Sequence, residues 1–340
     1  MTLPRSTHYA SRTTTNMAFH LTEHDITGLL TIDLALAGVE DAHRALGAEG
    51  VNLPRRRLPT PGGLLHDMAA SLPTHDTFGV KLYATGHGAP RFLVLLYRAS
   101  SGELLALIEA DQLGRMRTGA ASGVATRHMA REDSRVLGLI GTGGQALTQA
   151  LAICTVRPIE RVLVYGRDPE RRVRFAEALS REVTAVVAPV ETPRAAIEPA
   201  DVVATMTSSA TPVFDGAWLK PGTHVNAAGS NHLKRREIDG LTVARAARVV
   251  ADSVEQARLE SGDLAAAVAE GRLNWEDVVE LTDVVCDRVP GRAANDEITL
   301  FESHGLAAWD VATASALYEQ ALERGLGVEI PLFAGQAPAS

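Results

Sequence analysis

The sequence is poor in aromatic residues, 4% of 340, and holds only two cysteines. Cys154 and Cys286 cannot build a disulfide framework, and neither lies in a Cys-x-x-Cys or Cys/His cluster, so both read as core thiols of a reducing compartment. Long hydrophobic runs are also missing. The longest apolar stretches, residues 92–97 and 104–108, fall far short of the ~18–20 residues of a spanning helix. The N-terminal residues are rich in Ser, Thr and Arg without an apolar segment, which excludes a secretory signal. Nor is there an excess of base: 33 Lys and Arg against 41 Asp and Glu leave a net charge of −8, a poor balance for a nucleic-acid or membrane partner. What survives these exclusions is a cytoplasmic globular protein. Residues 1–18 read as a disordered extension, with Met17 as an alternative start.

A hydrophobic share of 46% and a charged share of 22% suit an ordinary folded chain, and the length suits two domains. Residues 19–130 mix helices near 22–25 and 33–46 with strands near 63–70, 78–84, 92–97 and 103–109. The last two are joined by Ala99-Ser100-Ser101-Gly102 as a hairpin turn. Turn-linked strands imply an antiparallel or mixed sheet, followed by an Ala-rich helix over 111–129. From residue 134 the rhythm becomes strand, helix, strand, the signature of a doubly wound parallel sheet. A long helix over 307–324 then stops at Gly325. The expected fold is therefore α/β: a Rossmann sheet over 131–303, and an α+β substrate-binding and dimerisation domain over 19–130 plus 304–340.

The chemistry concentrates in two places. An apolar strand runs into Gly141-Thr142-Gly143-Gly144-Gln145-Ala146 and then a helix. Glycines allow the tight turn and let backbone N–H groups approach a pyrophosphate at the helix start, while Ala146 as third small residue need only pack closely. The competing reading is a tight strand-to-helix turn without a ligand. The next strand ends Val164-Tyr165-Gly166-Arg167-Asp168, with Gly166 where an NAD site usually places an acid. Arg167 can hold a 2′-phosphate, so NADP(H) is favoured, with NAD(H) as the alternative. The second place is basic: Arg55-Arg56-Arg57, Lys81 inside an apolar strand, and Arg117 near the start of the 111–129 helix. Taken singly these read as surface or snorkelling cations, but together they suit a small anionic substrate.

From Pro54 to Leu322 the chain resembles the ornithine cyclodeaminase/mu-crystallin family of archaeal-type alanine dehydrogenases, ketimine reductases and cyclodeaminases. The resemblance is carried by Pro54-x-Arg56, His66-Asp67-Met68-Ala69-Ala70, Lys81, Arg117-Thr118-Gly119-Ala120-Ala121, the glycine turn, Asn226-Ala227-Ala228-Gly229-Ser230-Asn231, Ala251-Asp252-Ser253 and Gly305-Leu306-Ala307-Ala308-Trp309-Asp310. It implies a homodimer built by the first domain and an active site in the cleft between the domains. By resemblance, Arg56, Lys81 and Arg117 hold the substrate carboxylate beside Met68. Thr118, Thr205 and Ser230 join the glycine turn and Arg167 at the cofactor, and the reaction interconverts an amino acid and its imine or keto acid. Deaminating members carry Asp where this chain has Asn231, which speaks against ornithine cyclisation. The amine proton then falls to Lys81, His232 or His66, with Asn231 orienting a water or the imine. A cyclodeaminase and a non-catalytic NADPH-binding carrier are the alternatives. No metal site is expected: His20, His24 and Asp25 lack a further partner.

Overall fold

The computed structural model describes residues 17–86 and 88–332, and two eight-stranded sheets organise them. The chain first forms β1 (Met17–Leu21), β2 (Val51–Asn52), β3 (Arg56–Thr60), β4 (Gly63–Leu72), β5 (Thr77–Thr85), β6 (Phe92–Arg98) and β7 (Leu104–Glu109). It then forms β8 (Val136–Ile140), β9 (Arg161–Tyr165), β10 (Val186–Pro189), β11 (Val202–Thr205), β12 (His224–Ala227), β13 (Ala246–Ala251), β14 (Val278–Glu280) and β15 (Ile298–Glu302). A last strand, β16 (Val328–Pro331), returns to the first sheet and pairs antiparallel with β1.

The first sheet is mixed, because β4 to β7 form an antiparallel meander while β1 runs parallel to β7. Side-chain alternation gives it two unlike faces. Met68 and Lys81, paired across β4 and β5, are buried, whereas Asp67 and Leu82, paired one step away, point to the opposite, half-exposed face. Helices Ile32–Leu46 and Ala307–Arg324 cover the buried face. Thr31 caps the first of these, its hydroxyl accepting from Leu34 N–H, and Gly325 ends the second in a left-handed conformation with φ +64°. The first turns of the second helix, from Ala307 to Ser315, are wholly buried, so a helix from the end of the chain completes a core begun at its start.

The second sheet is parallel throughout, in the order β10-β9-β8-β11-β12-β15-β13-β14. The chain winds outward from β8 to β10, then returns to β11 on the other side of β8. That reversal opens a crevice at the C-terminal ends of β8 and β11. Helix Asp111–Met129 connects the two sheets and packs on helix Gly144–Val156. A Cβ on Gly119 would lie 2.3 Å from the Thr148 carbonyl oxygen, so only glycine lets these backbones approach so closely. The approach sets Arg117 and Thr118 beside the glycine turn.

Two expectations change. Met17 and Ala18, assigned to an extension, form β1, while the rest of that stretch and residues 333–340 lie outside the described residues. The short strands β2, β3, β14 and β16 were not anticipated. Among the described residues, no helix is long and apolar enough to cross a membrane.

Candidate active site

Two cavities meet at the start of helix Gly144–Val156. The larger, about 1020 Å³, lies over the glycine turn and is lined by Gly141, Thr142, Gly143, Tyr165, Arg167 and Thr207, among others. Gly141 has φ +120°, and a Cβ there would meet the Met206 carbonyl oxygen at 2.3 Å, so glycine is required both by conformation and by space. Around Gly143, the residue preceding the helix, that space is open. An open helix N-terminus, a turn with three glycines and an exposed Arg167 fit a dinucleotide. Asp168 is committed elsewhere: its carboxylate accepts from Arg171 N–H and caps helix Pro169–Leu179. Arg171 reaches back to the Thr142 carbonyl and adds a second cation to this wall.

The smaller cavity, about 550 Å³, lies between the two sheets, and its lining includes Arg55, Met68, Lys81, Tyr83, Phe92 and Arg117. Gly144, Gln145 and Gly229 line both cavities. Lys81 Nζ donates to Asp310 Oδ1 at 2.8 Å, and Arg117 Nε donates to the same oxygen at 3.0 Å. Arg55 is equally buried: Nη1 meets Glu260 Oε2 at 2.5 Å, Nη2 donates to the His304 carbonyl at 2.7 Å, and Nε faces Met68 Sδ. Glu260 is also ion-paired with Arg57. Each carboxylate is thus shared by two cations, leaving positive charge uncompensated at the cavity wall. Burial, reinforced by Arg117, lowers Lys81 to about 8 against the opposing pull of Asp310. Phe92, whose ring centroid is 5.1 Å from Lys81 Nζ, together with Tyr83 and Met68 makes the remaining wall apolar.

Several expected residues meet here. Met68, Lys81, Arg117, Thr118, Gly144, Gln145, Ser230 and Asn231 line the smaller cavity, and the Ser230 hydroxyl is buried without a partner among the described residues. Others are corrected. Arg56 pairs with Asp67 on the far face of the sheet from Lys81, with its side chain 73% exposed, and Arg55 occupies the cavity in its place. His232 is exposed, its ring accepting from Lys234 N–H, and does not line the cavity. His66 is stacked on Tyr83 at 4.3 Å with Nε2 on Thr85, behind the wall rather than in it. Thr205 turns away from the cofactor cavity, donating to Glu237, and Met206 and Thr207 form the wall. Ala146 is fully buried beneath the turn, the packing place its small side chain suggested. Asp310 was quoted in a motif without a role, and no local pattern ties a residue on the last helix to Lys81.

A profile of the ornithine cyclodeaminase/mu-crystallin family matches residues 17–325. The chain is 40% identical over 239 residues to a Delta(1)-pyrroline-2-carboxylate reductase of Bacillus cereus, covering 70% of this chain and 73% of that one. Among solved structures, the Delta(1)-pyrroline-2-carboxylate reductase of Thermococcus litoralis, in complex with NADH and L-proline, superposes with a TM-score of 0.87 at 35% identity, covering 92% of this chain and all of that one. An archaeal alanine dehydrogenase dimer with bound NAD gives 0.87 at 31% identity, over 93% of this chain and all of that one.

Proposed function

This chain belongs to the ornithine cyclodeaminase/mu-crystallin family, and on that premise we propose that it is an NAD(P)-dependent oxidoreductase reducing a small cyclic imino acid of the pyrroline-2-carboxylate type to the amino acid. The observation that carries the reading is the convergence of Arg55, Lys81 and Arg117 on a cavity that continues, through Gly144, Gln145 and Gly229, into the glycine-turn cavity. The guanidinium groups of Arg55 and Arg117 hold the substrate carboxylate. Lys81, held by Asp310 Oδ1, stands beside it as the proton donor to the imine nitrogen, and its lowered pKa lets it both give and regain a proton near neutral pH. Met68, Tyr83 and Phe92 enclose the apolar ring and exclude water. When bound over the glycine turn, a nicotinamide cofactor would supply the hydride for the C=N carbon. Asn231 lines the cavity and cannot accept a proton as an aspartate would, which favours imine reduction over loss of ammonia.

Arg167 and Arg171 on the wall beyond β9 support a preference for NADP(H), since a guanidinium pairs well with a phosphate. The archaeal dimer supports a homodimer, as does the apolar far face of the first sheet, where Leu58, Leu65 and Leu93 are exposed. Composition supports a cytoplasmic site. The direct test is oxidation of NADPH and NADH by the purified protein with pyrroline-2-carboxylate. Turnover is expected, with Arg167→Ala weakening NADPH more than NADH. Release of ammonia from ornithine would reassign the protein to the cyclodeaminases, and tight cofactor binding without turnover of any imino or keto acid would make it a carrier.

A further inference from the structure

The loops that follow β11 and β12 meet at one buried carboxylate. Glu237 is 1% exposed, and its two oxygens serve two different loops. Oε1 accepts from Thr207 N–H at 2.6 Å; Oε2 accepts from Gly229 N–H at 2.6 Å and from the Thr205 hydroxyl at 3.1 Å. Thr207 lines the cofactor cavity, and Gly229 lines that cavity and the substrate cavity alike. The contact has no slack, since a Cβ on Gly229 would lie 2.4 Å from Thr207 N and 2.6 Å from Glu237 Cδ.

Among the described residues no Arg or Lys forms an ion pair with Glu237. The group nearest to it is acidic: Asp263 accepts from the backbone N–H of Glu237 and Ile238 and also feels Arg236, which pairs with Glu270, while Glu302 lies next, with His304 and Asp252 beyond it. Burial, with Asp263 adding repulsion, raises Glu237 to about 7. An anion buried without a counter-cation is unfavourable unless its hydrogen bonds are needed. Here the carboxylate satisfies two backbone donors that no other group reaches.

We propose that Glu237 is a positioning residue for the cofactor, a clamp whose ionised carboxylate holds the Thr207 and Gly229 loops at the spacing required where the cofactor and substrate cavities join. The requirement is for an acceptor on both oxygens. An amide turns a donor toward one of the two N–H groups, and a protonated acid loses the charge that strengthens both bonds, so in either case the loops separate. The inference rests on the dinucleotide reading of the larger cavity.

The experiment is binding of NADPH and of NADH, followed by cofactor fluorescence, for wild type and Glu237→Gln on both sides of neutral pH. Wild-type affinity is expected to fall as pH drops through about 7. The variant should bind about tenfold more weakly than wild type at alkaline pH, the loss of one charge-assisted bond, with little dependence on pH. Wild-type affinity and pH profile in Glu237→Gln would overturn the clamp. Should that variant not fold, Thr205→Val removes only the hydroxyl on Oε2 and should move the wild-type midpoint to higher pH; an unmoved midpoint overturns the proposal. Cofactor binding by wild type that is independent of pH defeats the clamp alone, whereas absence of binding of both NADPH and NADH at every pH defeats the dinucleotide reading and the clamp with it.

Discussion

Two neighbouring arginines have opposite surroundings. Arg55 precedes β3, and its backbone N–H is held by Gln256, so its side chain runs inward to Glu260 and the His304 carbonyl. Arg56 is the first residue of β3, and pairing opposite Asp67 turns it to the far face. Arg55→Met is therefore expected to lower kcat/KM for the imino acid by at least about a hundredfold, the loss of a buried charged hydrogen-bonding group of ~3 kcal/mol. Arg56→Ala should stay within about twofold, because its side chain lies on the face of the sheet turned away from the cavity. Steady-state kinetics of the two variants decide the matter, and the reverse ranking would restore Arg56 to the site. In an Arg-Arg-Arg run the basic character was legible, but which member points inward was not, because a one-residue change of register exchanges the faces of a strand. Lys81 and Arg117 were legible as unusual cations. Asp310, which fixes both, lies 229 residues beyond Lys81, and only the tertiary fold brings it there.

The elements most faithfully legible were those whose signals are local. The helix expected over 111–129 is observed as Asp111–Met129, the strand expected over 161–165 as Arg161–Tyr165, and the last helix as Ala307–Arg324 with its stop at Gly325. Periodicity, capping and a glycine act within a few residues, so they survive without tertiary context. Strands β2, β3 and β16 have two to five residues and exist only through pairing with β4 or β1, so nothing in their own composition announces them. The contact between helices Asp111–Met129 and Gly144–Val156 was also illegible, although it joins substrate cations to the glycine turn. Gly119→Val should push these helices apart, since its Cβ would meet the Thr148 backbone. A loss of about 3 kcal/mol in unfolding free energy is expected, measured by the denaturant midpoint. Unchanged stability would show that the helices slide without cost.

At the scale of the molecule, buried titrating groups shape the response to acid. His43 joins Trp309 and Thr282 across three helices, and His224 joins Thr299 and Asn226 within the parallel sheet. Burial lowers His43 to about 4 and His224 to about 3, so below the unfolded value of 6.5 the unfolded chain takes up protons that the native state refuses, and stability falls with pH. Glu237 and Glu280, raised by burial to about 7, act oppositely: between 7 and 4.5 the native state holds protons the unfolded chain has released. The two pairs offset each other down to about pH 4.5. Glu302 and Asp263, also raised by burial, add to the gain side, and below about 3.8 only losses remain, because Glu40, ion-paired with His128, Arg127 and Arg44, is held down to about 2 and its contribution disappears as it protonates. Urea midpoints should therefore show no decline from neutral pH to about 4.5 and drop steeply below about 3.8. A steady decline from pH 6.5 would show that the raised carboxylates do not compensate.

The pairing of β1 with β16 has a further consequence for the path of the chain. Met17 stands opposite Pro331, so residues nearly the whole sequence apart are side by side at one sheet edge, while the Ala99-Ser100-Ser101-Gly102 turn between β6 and β7 projects into solvent. A circular permutant that links residue 332 directly back to residue 17 and opens between Ser100 and Ser101 would keep both sheets, both cavities and every cation of the site in place, with the backbone read in a different order.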